Sequence, residues 1–370
     1  MVQSMTTRTM TIEQGLEYVR CPLCRADNTE LLFIGRDRNL KRPGHFPVVR
    51  CRQCGLIYTN PRPTIERLFA EFYTADYAPY QIILADAHGE TSFFIRVKRY
   101  LKQTTLITHY GYVSRARSRP RFWEKALTWP LRNSFPDIPR FIPGGRLLEV
   151  GCASGYFLAM LRDLGWDVCG VEPNMCAAQR ARDAGLDVRT GTLEQIAFPN
   201  CSFDVVIMMH MLEHVPDPLA TLAEVMRILK PGGMLIVAVP NCASLSARLF
   251  GERWSGWDLP RHLTHFTPNS LQQMLDKVGL RVESMHDQRN PNIIFRSLRI
   301  SRDESTSIIM RSLHNFLLTV TPAVLAIKIL IFVLHMLGTH LKTRRPVGVY
   351  SVSGQPAWEG KTDGVSGVDG

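Results

Sequence analysis

Four cysteines stand in two pairs, Cys21-Pro-Leu-Cys24 and Cys51-Arg-Gln-Cys54, with 26 residues between them. Each pair sets two soft thiolates on one tight turn, and two such turns complete a tetrahedral all-sulfur site with no open position. That donor set calls for a structural zinc ion. Gly55, just after the last cysteine, supplies the permissive backbone such a turn needs. So short a segment has little core of its own, and a metal would hold it together. A second group is the small-residue loop Gly151-Cys152-Ala153-Ser154-Gly155. It carries no lysine and is not GxGxxG, which excludes a P-loop and a dinucleotide fingerprint. Its glycines would let backbone approach a ligand closely. About 20 residues on stands Glu172, where an acid can accept hydrogen bonds from both hydroxyls of a ribose.

A third group is His210-Met-Leu-Glu213-His214-Val-Pro-Asp217. Histidine titrates near neutrality and can take a proton from a reacting group. His214, with Glu213 beside it to orient it, is the first candidate for a general base, and His210 the second. The spelling approaches that of zinc proteases, but those motifs lie on a helix, whereas this one ends a strand and meets Val-Pro. Further on, Trp254, Trp257, Asp258, Arg261, His262, His265 and Phe266 crowd one segment, a composition that fits an acceptor pocket.

The elements that must position these groups are regular. Short apolar strands at Arg146–Val150, Asp167–Val171, Asp187–Gly191, Phe203–Met209 and Met234–Val239 alternate with helical spacing at Tyr156–Leu164, Met175–Ala184 and Leu219–Leu229. A helix at Thr267–Val278, a sixth strand at Arg281–Asp287 and a seventh at Val347–Ser353 follow. Strand–helix alternation with short turns makes an α/β fold, a Rossmann-like doubly wound sheet with helices on both faces. Ligands of such sheets bind at the carboxyl ends of the strands.

Leu148-Glu149-Val150-Gly151-Cys152-Ala153-Ser154-Gly155 resembles the first motif of class I S-adenosylmethionine (SAM)-dependent methyltransferases. Val171-Glu172-Pro173 resembles their second-strand acid, Ser202-Phe203-Asp204-Val205-Val206 their fourth-strand motif, and Leu229-Lys230-Pro231-Gly232-Gly233 the turn before their fifth strand. The likeness covers about 145–290 and implies a seven-stranded sheet that binds SAM. It implies that Glu149, Gly151, Cys152, Ala153 and Gly155 hold the methionine part, that Glu172 and Pro173 meet the ribose, and that Thr192 and Leu193 flank adenine, with His210 at the same site. The family often has an aspartate where this chain has Thr192. The Glu-His pair and the front cysteines are loosely similar to sugar C-methyltransferases, some of which share a four-cysteine zinc module.

The expected organisation is a zinc-ribbon-like module over 15–62, a helical basic linker or cap over 63–143, the SAM-binding core over 144–290, a hydrophobic helical insertion over 291–346, a last core strand over 347–358 and a disordered tail over 359–370. The formal charge is +11. Residues 1–143 hold 22 Lys and Arg against 12 Asp and Glu, 144–291 hold 13 against 16, and 292–370 hold 9 against 5. The basic excess thus lies outside the core and suits an anionic partner. Met1–Arg20 has no apolar targeting run, so a reducing cytoplasm is the expectation. The apolar run Phe316–Gly338 contains Pro322, Lys328 and His335, which suits two short helices packed on the core, or in peripheral contact with an inner membrane face where Arg344 and Arg345 would meet acidic lipid, better than a single span. The leading function is methyl transfer from SAM to a hydroxyl or carbon of a small-molecule, sugar or cell-surface glycan acceptor. The competitors are an RNA methyltransferase gripping phosphates with the module and basic segment, and a non-catalytic SAM-binding or membrane-associated scaffold.

Overall fold

The computed structural model describes residues 15–74, 77, 93–112, 121–132, 135, 137–287, 291–304 and 347–354. The front segment forms β1 (Leu16–Glu17), β2 (Thr29–Gly35), β3 (Phe46–Cys51), β4 (Ile57–Thr59) and β5 (Arg62–Pro63). A helical turn α1 (Ile65–Arg67) runs into a π-turn at Leu68–Phe72, and α2 (Phe93–His109) and α3 (Phe122–Thr128) follow. The core continues with β6 (Arg146–Val150), α4 (Tyr156–Asp163), β7 (Asp167–Glu172), α5 (Met175–Asp183), β8 (Val188–Thr190), α6 (Leu193–Ile196), β9 (Phe203–Met209), α7 (Pro218–Ile228) and β10 (Leu229–Pro240). Beyond it lie α8 (Leu245–Phe250), β11 (Thr264–His265), α9 (Pro268–Lys277), β12 (Leu280–Asp287), α10 (Pro291–Asp303) and β13 (Val347–Gly354).

The large sheet has the order β12-β13-β10-β9-β6-β7-β8. Strands β10, β9, β6, β7 and β8 run parallel, and β13 is antiparallel to both β10 and β12. The central strands are apolar nearly throughout because helices cover both faces: Val205, Val206, Ile207 and Met208 of β9 are all buried. From β6 the chain winds outward through β7 to β8, then returns to β9 on the other side of β6. That reversal opens a crevice past the carboxyl ends of β6 and β9. Asp204, in the fourth-strand motif, sits at the opposite end. It accepts the Arg146 N–H at 2.8 Å and the Lys230 ammonium at 2.7 Å, tying together the starts of β6, β9 and β10.

The front segment is joined more closely to the core than a separate module would be. Its four-stranded sheet has the order β11-β4-β3-β2, so the outer strand comes from the segment expected to form the acceptor pocket. The Thr59 N–H donates to the Leu263 carbonyl at 3.0 Å, and Arg62 Nη1 donates to the Pro216 carbonyl at 2.8 Å. Phe46, Val48, Leu68 and Phe72 pack with Trp254, Trp257, Leu259 and Leu263 in one buried cluster. Inside this joint lies Arg261, fully buried. Its guanidinium donates to both Asp37 carboxylate oxygens, at 2.8 and 3.1 Å, and to Asp258 Oδ1 at 2.7 Å. Burial would push the Asp258 carboxyl up, but the Arg261 charge overrides it and holds that acid below the usual carboxylate range.

The expected third strand is trimmed to Val188–Thr190, and the helix expected from Leu219 starts at Pro218, behind Asp217, whose carboxylate caps it by accepting from the Ala220 N–H. The basic stretch from Arg96 to Arg121 contributes α2 and leads into α3. Of the expected 291–346 insertion, α10 and Glu304 are described; Phe316–Gly338, Arg344, Arg345 and the tail from Glu359 lie outside the described residues. Among the described residues no helix is long and apolar enough to cross a membrane.

Removing one member of a buried charge pair strands the other, at about 3–5 kcal/mol. Asp37→Ala leaves Arg261 with Asp258 alone, so it should lower unfolding free energy in a urea titration by up to about that amount. A loss under about 1 kcal/mol, the level of an exposed pair, would show that the joint does not depend on this ion pair.

Candidate active site

A cavity of about 780 Å³ opens at the carboxyl ends of β6, β7, β9 and β10. The first glycine of the loop after β6 is there for two reasons. Gly151 has φ +77°, and a Cβ on it would lie 2.5 Å from the Met211 side chain. Gly155 differs from its expected role. It does not line the cavity; its φ is +82°, and a Cβ there would lie 2.4 Å from Leu186 and 3.0 Å from Ala181. It is a packing position that lets α4 start close against α5, and the loop residues before it are the ones that face the cavity. Glu149, Gly151, Cys152, Ala153 and Ser154 do line the cavity.

Two carboxyl groups define its floor. Glu172 is 3% exposed, and its oxygens accept the Ala153 N–H at 2.9 Å and the Asn174 N–H at 2.8 Å. An ionised carboxylate offers about four lone-pair directions, so two remain for a ligand diol. Burial raises this acid in spite of the two N–H donors. Glu149 is 4% exposed, and its Oε2 has no hydrogen-bond partner. Burial first, and the Glu172 charge second, push its carboxyl up to about 8. A cavity floor with an unpartnered acid oxygen and a half-satisfied carboxylate fits a ligand that brings an ammonium group and a ribose, which is the donor set of SAM. Pro173, Thr192 and Leu193 line the next wall. The Thr192 hydroxyl is the N-cap of α6, accepting from the Gln195 N–H, which leaves its own O–H to donate.

His210, Glu213 and His214 meet the cavity from the turn after β9. His210 has φ +53° and is half-buried. Glu213 is 1% exposed; neither of its oxygens has a hydrogen-bond partner, and the nearest imidazole nitrogens are His210 Nδ1 at 3.6 Å and His262 Nε2 at 3.9 Å. His214 Nδ1 lies 3.1 Å from the Arg261 carbonyl and 2.8 Å from the Tyr73 hydroxyl. A carbonyl only accepts, so its contact calls for the proton on Nδ1, with the Tyr73 hydroxyl free to accept from the same N–H while donating to the Arg261 carbonyl at 3.4 Å; that tautomer leaves the lone pair on Nε2. His262 is held the same way, its Nδ1 2.9 Å from the Gly256 carbonyl. The two rings lie 4.6 Å apart. Burial, then the neighbouring His262, lowers His214 to about 4. Glu213, His214 and His262 each offer a ligand atom within 4.8 Å of the others, a set that could also hold a cation.

The four cysteines converge as their spacing requires. Cys21 Sγ lies 3.4 Å from Cys54 Sγ and Cys24 Sγ 3.5 Å from Cys51 Sγ, too far for disulfides. A tetrahedral zinc site with Zn–S bonds of about 2.3 Å spaces its sulfurs by about 3.8 Å, so the cage fits such an ion with little adjustment. Burial pushes the Cys21 thiol up to about 11, a cost that a cation at the centre would offset.

Residues 116–285 match a family model described as a methyltransferase domain. A ubiquinone biosynthesis O-methyltransferase of Xanthomonas oryzae pv. oryzae is 31% identical over 169 residues, 42% of this chain and 71% of that protein. The chain belongs to the SAM-dependent methyltransferases. A protein of the same description from Cereibacter sphaeroides is 36% identical over 157 residues, 39% of this chain, and the chain spans 63% of its length. A malonyl-[acyl-carrier protein] O-methyltransferase of Serratia marcescens is 32% identical over 128 residues, 34% of this chain and 49% of that protein. The solved structure of a SAM-dependent methyltransferase from Mesorhizobium loti shares 16% identity and a TM-score of 0.38 over 62% of this chain and 97% of its own, too slight a likeness to bear on chemistry.

Within this methyltransferase site, sequence reasoning reached the acceptor segment but not its orientation. Ser255, Gly256, Asp258 and His262 line the cavity. Trp254, Arg261 and His265 are buried behind it, and His265 Nε2 is spent on the Thr59 hydroxyl at 3.3 Å. Sequence reasoning missed Tyr73, whose only signal was its place in the aromatic run from Phe69 to Tyr80, and Ile293 and Arg296 of α10, which also line the cavity. Glu172→Ala should weaken SAM binding by about 1.5–3 kcal/mol, roughly ten- to a hundredfold. Calorimetry finding an unchanged dissociation constant would remove Glu172 from the cofactor site.

Proposed function

We propose that this chain moves a methyl group from SAM to an acidic hydroxyl or carbon of a small-molecule or sugar-like acceptor, with His214 as the general base. The observation that carries the reading is an imidazole held neutral, its Nδ1 fixed by a backbone carbonyl, on the wall of the cofactor cavity beside a carboxylate without a hydrogen-bond partner. SAM supplies an electrophilic methyl group. Glu172, Glu149 and the loop Gly151–Ser154 would hold it, and methyl transfer then needs alignment above all. His214 Nε2 takes the acceptor's proton as the acceptor atom gains its methyl group, and Glu213 offsets the charge that the ring acquires. A base held as low as about 4 is a weak one, so it favours an acceptor whose own proton is acidic. The outer part of the cavity carries Leu68, Phe69, Tyr73 and Tyr77, which suits an acceptor with an apolar or ring-shaped body.

The RNA reading is less well supported. Arg25 of the cysteine segment pairs with Asp217, and Arg50 and Arg52 both pair with Glu30, so these cations already have acidic partners. A non-catalytic scaffold would give the unpartnered Glu213 and the neutral His214 no task.

His214→Ala should cut turnover by about 10²–10⁴-fold with SAM affinity near wild type, because the loss falls in the transition state. His214 is lowered, so its neutral form is full above about pH 6.5 and is lost only as pH falls through about 4. The rate should thus show no His214-dependent decline between pH 8 and about 5.5. Near-normal turnover of His214→Ala on the true acceptor would make the residue structural and turn attention to His262. We further propose that Cys21, Cys24, Cys51 and Cys54 hold one structural zinc ion. Metal analysis of protein purified without chelators should find one zinc per chain, lost in Cys51→Ser; a metal-free wild type would overturn that assignment.

A further inference from the structure

Helix α3 is built inside out. Its two buried positions, Glu124 at 7% and Thr128 at 0% exposure, are polar, and they lie four residues apart on one side of the helix. Both are engaged inside. Glu124 accepts from the Tyr100 hydroxyl at 3.0 Å and the Arg121 N–H at 2.8 Å. The Thr128 hydroxyl donates to the Glu124 carbonyl at 2.7 Å and lies 3.1 Å from both the Thr108 hydroxyl and His109 Nε2. The apolar residues face out: Phe122 is 88% exposed, Trp123 50%, Leu127 50%, and Trp129, just past the helix, 58%. An ordinary surface helix does the reverse. Four large apolar side chains within eight residues, turned away from their own core, mark a surface that meets an apolar medium.

The sequence on either side of them is basic. Over 93–132 the sequence has ten cations, Arg96, Lys98, Arg99, Lys102, Arg115, Arg117, Arg119, Arg121, Lys125 and Arg132, and one acid, the inward-facing Glu124. Lys125 is exposed among the aromatics, and the exposed Arg132 guanidinium stacks 4.3 Å from the Trp129 ring. Amphipathic tryptophans flanked by cations are the composition that settles at the headgroup level of an anionic bilayer.

We propose that α3 and the turn after it, Phe122–Arg132, form a docking surface for an anionic phospholipid membrane, with Phe122, Trp123 and Leu127 entering the headgroup–acyl boundary and Lys125 and Arg132 meeting lipid phosphates. None of these residues lines the cavity or belongs to the cysteine cage, and the proposal holds whether or not the acceptor reading above is right. A nucleic acid would also attract the cations and stack on the tryptophans, but Phe122 and Leu127 stand out on a convex helix rather than along a groove, and Leu127 offers no ring to a base.

The test is sedimentation of the full chain with vesicles of phosphatidylcholine alone and with about one-third phosphatidylglycerol. Binding is expected to the anionic vesicles and to weaken with salt. Phe122→Ser/Trp123→Ser should lose it by at least tenfold, and Lys125→Gln/Arg132→Gln by roughly twentyfold, at about fivefold per cation. Quenching of tryptophan emission by bromine-labelled lipid should drop in Trp123→Ser. All the altered side chains are exposed, so SAM affinity and melting temperature should stay at wild-type values, which separates lost docking from lost folding. Vesicle binding that both double variants retain would place the contact elsewhere and overturn the proposal. So would an absence of wild-type vesicle binding, or salt-steep binding to single-stranded RNA that the same variants abolish.

Discussion

The buried guanidinium of Arg261 is the constraint on which the rest of the structure depends. A full positive charge without water is tolerable only if it is matched at close range. Asp258 comes from the same loop as Arg261, but Asp37 arrives from the loop after β2, so the guanidinium gains its full set of partners only when the front segment and the core are together. Asn39 adds its side-chain amide to Asp258. Once the charge is matched, the Arg261 carbonyl is fixed, and that carbonyl orients His214. The Gly256 carbonyl, in the same loop, orients His262. Electrostatic necessity in the joint thus becomes proton placement in the cavity.

A second tension lies on the cavity floor. Glu149 and Glu172 are both buried; burial first, and the Glu172 charge second, raise Glu149 to about 8. Such an arrangement is unfavourable while the site holds no cation and is relieved when one enters. Glu213 faces the same situation across the cavity, with its nearest imidazoles beyond hydrogen-bond distance. Natural folds keep unpartnered buried acids where a ligand or a transition state will partner them.

How much of this could be read beforehand depended on whether the information was local. Strand–helix alternation is local, so the parallel core, the glycine loop and the acid ending β7 followed from periodicity and spacing. The cysteine cage followed because two turns of known shape suffice to make it. The pairing of β11 with β4 did not, since nothing near Thr264 or Ile57 records that they are neighbours. For the same reason Gly155 was given to the ligand when it belongs to Leu186 and Ala181, and Tyr73 was passed over although its hydroxyl reaches His214. That Thr192 caps α6 depends on where that short helix starts, which its neighbours in sequence do not fix.

The sheet that β11 shares with the front segment has a further consequence during synthesis. Strand β4 is made first, but its partner β11 emerges some two hundred residues later, after the whole parallel core. Until then the edge of β4 is open and Arg261 has not been made, so Asp37 must wait in solvent. Chains grow at about 5–20 residues per second, so that interval lasts about ten to forty seconds. During it the cysteine turns, local enough to close without help, can hold β3 in place as a waiting template. A late-made wall of the pocket then folds onto the earlier strands, and His214 and His262 reach their final orientation only when the growing chain has brought β11 to β4.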